Sequence, residues 1–83
     1  MNTRTIPLTP QWQKASDDVK TVMLQLMSGD AAFCFSLTKP ADDADYHIMP
    51  HLELILITPP TCVWVRSTHT YKKDTFLTVS IVD

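Results

Sequence analysis

The chain has 83 residues, of which 45% are apolar and 19% charged, with a formal net charge of −2. This length gives one domain near the lower limit at which a hydrophobic core suffices without staples, and the apolar fraction excludes a disordered tail. The negative balance, with no basic run longer than Lys72-Lys73, argues against nucleic-acid binding; the lack of an apolar run approaching the roughly 20 residues of a bilayer span argues against a membrane protein.

Residues 1–10 alternate loosely, and Thr5, Ile6, Pro7, Leu8 and Thr9 suit an extended arm that is either an edge strand or a segment reaching onto a neighbour. They have no apolar core of the signal-peptide kind, so a cytosolic product is expected. The expected organisation is this arm followed by a single domain over residues 11–83. Trp12 comes just before the turn signal Ser16-Asp17-Asp18 and should anchor a corner of the core. Residues 19–27 fit two templates. As a helix, Ser16 is the N-cap, and Val19, Val22, Met23, Leu26 and Met27 share a face. As a strand, Val22, Leu24 and Leu26 point one way while Thr21, Met23, Gln25 and Met27 point the other. Local chemistry alone leans to the helix. Ser28-Gly29-Asp30 is a turn on either reading. Because the chain has one glycine against six prolines, tight glycine-dependent hairpins must be scarce and corners set by proline.

Residues 31–37 read as a strand with Phe33, Phe35 and Leu37 on one face and Ala32, Cys34 and Ser36 on the other. A polar loop over 39–45 leads to a short strand over 46–49, ended by Pro50. In the run 52–57, Leu52, Leu54 and Leu56 oppose Glu53, Ile55 and Ile57, so this strand is expected to be buried on both faces. Thr58-Pro59-Pro60-Thr61 then forbids a helix and turns a corner into a strand over 62–67. After a polar loop over 68–74, residues 75–82 close the chain with Leu77, Val79 and Ile81 facing in and Thr78 and Ser80 out. The expected fold is all-β, a small antiparallel β-sandwich or jelly-roll-like barrel of about six to eight short strands. Its expected core anchors are Trp12, Phe33, Phe35, Leu54, Trp64, Leu77 and Val79.

The residues that could carry chemistry favour the plainer alternative in each case. His47 and His51 with Cys34 and Cys62 are the zinc-ligand types present, but Pro50 interrupts the histidine pair and no cysteines are closely spaced. Both cysteines sit in apolar runs and are expected as buried thiols. Asp42, Asp43 and Asp45 lack the alternation and the glycine of a calcium loop and read as a solvated acidic loop. Cys34 or Ser67 with His69 has neither a nucleophile elbow nor an orienting acid. Arg66, Lys72 and Lys73 near Trp64 and Tyr71 would form a base-stacking platform only with a net positive groove. No enzyme activity, metal or cofactor is therefore expected. What remains is apolar strand surface beyond the needs of one small core, together with few charges, which points to assembly.

A pattern runs through Pro10, Trp12-Gln13-Lys14, Ser16-Asp17-Asp18, Gln25-Leu26, Ser28-Gly29, Pro40-Ala41, the segment Pro59-Pro60-Thr61-Cys62-Val63-Trp64-Val65-Arg66-Ser67, and a closing Leu77-Thr78-Val79-Ser80 strand. It resembles small structural proteins from the morphogenesis regions of tailed bacteriophages. The resemblance covers most of the chain through short motifs. It departs at Asp18 and at His51-Leu52-Glu53, where glycine-bearing turns would be expected. It implies a β-sandwich, and hence a strand rather than a helix over 19–27. It also implies a non-enzymatic virion component made in the host cytoplasm: a capsid decoration or cement protein, or a tail or fibre accessory. Such a protein would bind a phage capsid or tail protein and assemble with itself, with a trimer favoured. On that reading Ile6, Leu8, Ile55 and Ile57 are the partner-contact candidates. The alternative is a small phage-encoded inhibitor of a host complex, for which residues 42–45 offer the one acidic patch.

Overall fold

A computed structural model describes residues 2–17, 19–68 and 75–82. Its elements are eight strands, with no helix among the described residues: β1 (Asn2–Pro7), β2 (Gln13–Lys14), β3 (Thr21–Ser28), β4 (Ala31–Phe35), β5 (His47–Ile48), β6 (Leu54–Ile57), β7 (Val63–Ser67) and β8 (Phe76–Val82). They form two four-stranded sheets, ordered β1-β8-β3-β6 and β2-β7-β4-β5, in which every strand pairing is antiparallel. The fold is a small β-sandwich.

The ambiguous segment 19–27 is a strand because its neighbours decide it. Val22, Leu24 and Leu26 of β3 lie opposite Ile81, Val79 and Leu77 of β8, and Val22 and Leu24 also face Ile57 and Ile55 of β6. The central strand therefore sits between two partners that present apolar side chains at the same period of two. Asp17 does not start a helix. Its Oδ1 accepts the backbone N–H groups of Val19 and Lys20 at 2.8 and 3.0 Å, an Asx turn that delivers the chain into β3.

The interior joins Val22, Leu24 and Leu26 of β3, Leu77 and Val79 of β8 and Ile57 of β6 to Val63 and Val65 of β7 and Ala31 of β4, with Leu8, Ala15 and Met49 closing its margins. The Thr58-Pro59-Pro60-Thr61 corner carries the chain from β6 in one sheet to β7 in the other, as expected, and its Pro59-Pro60 peptide is cis.

Several expectations are corrected by the sheet register. β6 is the last strand of its sheet and is buried on one face only: Ile57 is buried and Ile55 packs on the core, while Leu54 and Leu56 are exposed. Ile55 and Ile57 are thus interior rather than partner-facing, and Leu54 is a surface residue rather than a core anchor. The same inversion affects the N-terminal segment. β1 pairs along its length with β8, Leu8 is buried, and Ile6 packs on the interior opposite Leu77, so neither extends onto a partner. Residues 2–7 belong to the sandwich itself as an edge strand. Phe35, another expected anchor, is 53% exposed at the end of β4, whereas Phe33, Leu77 and Val79 hold interior positions.

Trp12 and Trp64 are anchors of a different kind. They lie with Ala32 and Cys34 in a second cluster, formed by the side chains of β4 and β7 that alternate away from the interior. The 36–46 segment is fastened over this cluster by both indoles. Trp64 Nε1–H donates to the Ser36 carbonyl at 2.9 Å, and Trp12 Nε1–H donates to the Ala41 carbonyl at 3.0 Å. The second sheet is therefore covered on its outer face by its own loop.

Candidate functional site

The two sheets differ in what they leave on their outer faces. Among the described residues no loop covers the first sheet, and its outward rows can be read straight across the register. One row runs Thr3, Ser80, Met23, Leu56, and the next runs Thr5, Thr78, Gln25, Leu54. At the β1–β8 end these rows are tied by hydroxyl pairs, Thr3 Oγ1 to Ser80 Oγ at 2.8 Å and Thr5 Oγ1 to Thr78 Oγ1 at 3.2 Å. At the β6 end they turn aliphatic, with Leu54 62% and Leu56 59% exposed. One face thus changes from a solvated polar ladder to bare leucine across four strands.

β5, last in the second sheet, connects directly to β6 through residues 49–53, and that connection spans the two layers. Met49 N–H donates to the Ala31 carbonyl at 3.0 Å, and Leu52 N–H donates to the Leu26 carbonyl at 2.9 Å. Gln25 Nε2 adds a bond to the Leu52 carbonyl at 2.9 Å, and His51 Nε2 lies 3.3 Å from the Met27 carbonyl. These bonds hold Leu52 at φ 65°, a left-handed conformation that costs a branched side chain about 1 kcal/mol or more. On the β5 side of this connection Ile48 and Tyr46 are exposed, and Phe35 packs edge-on to Phe33 at 5.8 Å with His47 6.4 Å away. Leu54 and Leu56 thus lie on the outer face of the first sheet, whereas Ile48, opposite Ala32, lies on the outer face of the second, where Tyr46 is near Arg66.

Positions with catalytic or ligand-binding potential are occupied by structural contacts. His47 stacks on Phe33 at 5.3 Å, and His51 holds the inter-sheet connection. Cys34 and Cys62 are free thiols; burial raises the Cys34 pKa, partly offset by the Arg66 charge, and the Cys62 thiol is directed to the Pro60 carbonyl at 3.7 Å. Among the described residues no group of three or more His, Cys, Asp or Glu converges on a metal position. Ser67 Oγ meets Thr75 Oγ1 at 3.3 Å inside the sandwich, and His69 lies outside the described residues. The Arg66 guanidinium sits 4.4 Å from the Trp12 ring centroid and 5.9 Å from that of Tyr46, so its cation–π contacts fasten the loop cover. Tyr71, Lys72 and Lys73, the other members of the imagined base-stacking platform, lie outside the described residues. Asp42, Asp43 and Asp45 are exposed in the loop beside Ala41.

Shallow grooves among the described residues flank the sandwich. One, about 270 Å³, is lined by Phe35, Ser36, Leu37, Pro60, Thr61 and Cys62. Another, about 250 Å³, is lined by Asn2, Thr3, Arg4, Val79 and Ile81 at the β1 edge. The strand edges and the bare β6 end were hidden from sequence reasoning, because a two-faced apolar strand carries no local mark of which face will be covered.

No protein-family model matches the chain, and no curated protein matches it. Among solved structures its fold is similar to the crystal structure of protein NMB1881 from Neisseria meningitidis, with a TM-score of 0.61 at 13% identity, over 96% of this chain and 72% of that one. At that identity the similarity concerns the fold alone.

Proposed function

We propose that this chain is a non-enzymatic structural component of a tailed-phage virion, which binds a capsid or tail protein as a decoration, cement or accessory subunit. The observation that carries the reading is the contrast between a complete interior and a surplus of apolar surface. Among the described residues no buried side-chain nitrogen or oxygen lacks a hydrogen-bond partner, so the sandwich is satisfied as it stands. Yet Leu54 and Leu56, on the outer face of the first sheet, and Leu52 in the connection before them remain more than half exposed. Exposed leucines grouped on one face of a small folded domain support a place where another protein is received. The resemblance carried by the Trp12 segment and by Val63-Trp64-Val65-Arg66-Ser67 supplies the class of that protein.

The test is an add-back. Particles grown from a phage lacking the coding sequence are mixed with the purified chain and sedimented. Binding to particles in a saturable amount supports the proposal. Failure to bind at any concentration, while the chain remains folded, overturns it.

A further inference from the structure

β1 is lightly held, because of what its inward side carries. Its outward Thr3 and Thr5 bond to Ser80 and Thr78, which sets Asn2, Arg4 and Ile6 toward the interior, opposite Ile81, Val79 and Leu77. Of these three only Ile6 packs on the core, whereas Asn2 and Arg4 are exposed. The strand therefore crosses apolar neighbours without covering them, and the groove of about 250 Å³ lined by Asn2, Thr3, Arg4, Val79 and Ile81 remains beside it. β2, whose Gln13 Nε2 reaches the Pro7 carbonyl at 3.4 Å, is two residues long and leaves this margin open.

The attachments next to β1 are firmer. Leu8 N–H donates to the Thr75 carbonyl at 2.8 Å, and the Thr9 carbonyl accepts the Ser67 N–H at 2.9 Å, so the chain is tied to both sheets directly after Pro7. β8 has β3 as its other partner, from Thr21↔Val82 to Ser28↔Phe76, and stays in its sheet without β1. A segment with one core side chain, ending at a firm anchor, is of the kind that opens well below the free energy of global unfolding.

We propose that β1 is an exchangeable strand: residues 2–7 part from β8 while the sandwich stays folded, and the uncovered β8 edge takes up an extended segment of another protein with apolar side chains in the Asn2 and Arg4 positions. Strand addition to an open sheet edge draws affinity from main-chain bonds and specificity from alternate side chains. Here the alternate positions lie over Ile81 and Val79, where β1 itself offers an amide and a charge. The inward charge of Arg4 also disfavours pairing on the outer edge of β1, so β8 is the receiving edge. The tether sets the scale of the competition, since a strand held by a short linker acts at an effective concentration of about 1 mM. A free segment identical to β1 would need about that concentration to displace it, and two valines partly buried in the groove lower the requirement about 10- to 100-fold.

The probe is a fluorescently labelled peptide of residues 2–8 carrying Asn2→Val and Arg4→Val, titrated with the purified chain and followed by anisotropy. Half-saturation is expected at about 10–100 µM, with the peptide of natural sequence at least ~10-fold weaker. The same two substitutions placed in the full chain fill the groove from within, so they should raise the melting temperature and weaken peptide binding at least ~10-fold. In the natural chain without peptide, β8 amides bonded to β1 should exchange at least ~100-fold faster than those bonded to β3. Absence of saturable binding up to about 1 mM overturns the proposal. So do peptide binding unchanged by the substitutions in the chain, a lower melting temperature for that variant, or equal protection on the two sides of β8. No phage particle enters the measurement, so its outcome is separate from the virion reading.

Discussion

Replacing Gly29 with alanine tests how the β3–β4 turn is fitted against the start of β8. Gly29 has φ +79°, where a side chain costs about 1–2 kcal/mol. A Cβ there would overlap Thr75 Oγ1 and lie 2.9 Å from the Thr75 Cα, and backbone cannot swing aside as a flexible side chain can. Thr75 is buried. Its carbonyl accepts the Leu8 N–H at 2.8 Å, and its hydroxyl meets Ser67 Oγ at 3.3 Å, so moving it disturbs both sheets. Overpacking of this kind adds about 1–3 kcal/mol, for a total of about 2–5 kcal/mol. A domain of this length has on the order of 4–12 kcal/mol of stability, so a large part of it is lost. Thermal melts followed by circular dichroism should show a fall of at least ~10 °C. Gly29→Asn separates the causes: asparagine tolerates the left-handed conformation but still brings a Cβ, so it should remain destabilised. A Gly29→Ala protein melting within about 3 °C of the natural one would refute the close approach to Thr75.

Trp12→Ala should cost about 3–5 kcal/mol in urea titrations, since the indole is 3% exposed, and Trp12→Phe should cost less by keeping the ring while losing the bond to the Ala41 carbonyl. Of the two thiols, Cys62 should react with a disulfide reagent in the folded protein, and Cys34 only on unfolding. The raised Cys34 pKa, caused first by burial, gives stability that is present below the unfolded thiol pKa and lost as pH rises through the folded one. Urea titrations on the alkaline side of the thiol range should therefore show a decline that is smaller in Cys34→Ala.

Much of the framework was legible because it rests on local pattern. Leu77, Val79 and Ile81 alternate cleanly with Thr78 and Ser80, and the Thr58-Pro59-Pro60-Thr61 corner can be placed from proline chemistry alone. The β3 segment was not, since both templates fit it and local chemistry leans to the helix, while its state is fixed by β6 and β8, which are distant in sequence. Leu54 and Ile55 show a sharper limit. Both faces of that strand are aliphatic, so which one is interior follows only from the register Leu24↔Ile55 and Gln25↔Leu54. Ile6 and Leu8 were misplaced for the same reason, because an extended segment looks alike whether it pairs with its own sheet or with another chain. The roles of Trp12 and Trp64 depended on the path of residues 36–46 over the outer face of the second sheet, which no local signal encodes.

The proposed role, a bound structural subunit of a virion, is tested most directly by quantitative mass spectrometry of purified tailed-phage particles produced from a genome that carries the coding sequence. The account predicts peptides of this chain in a fixed ratio to the major capsid or tail proteins, retained after washing and gradient purification. Complete absence of the chain from intact particles would contradict it.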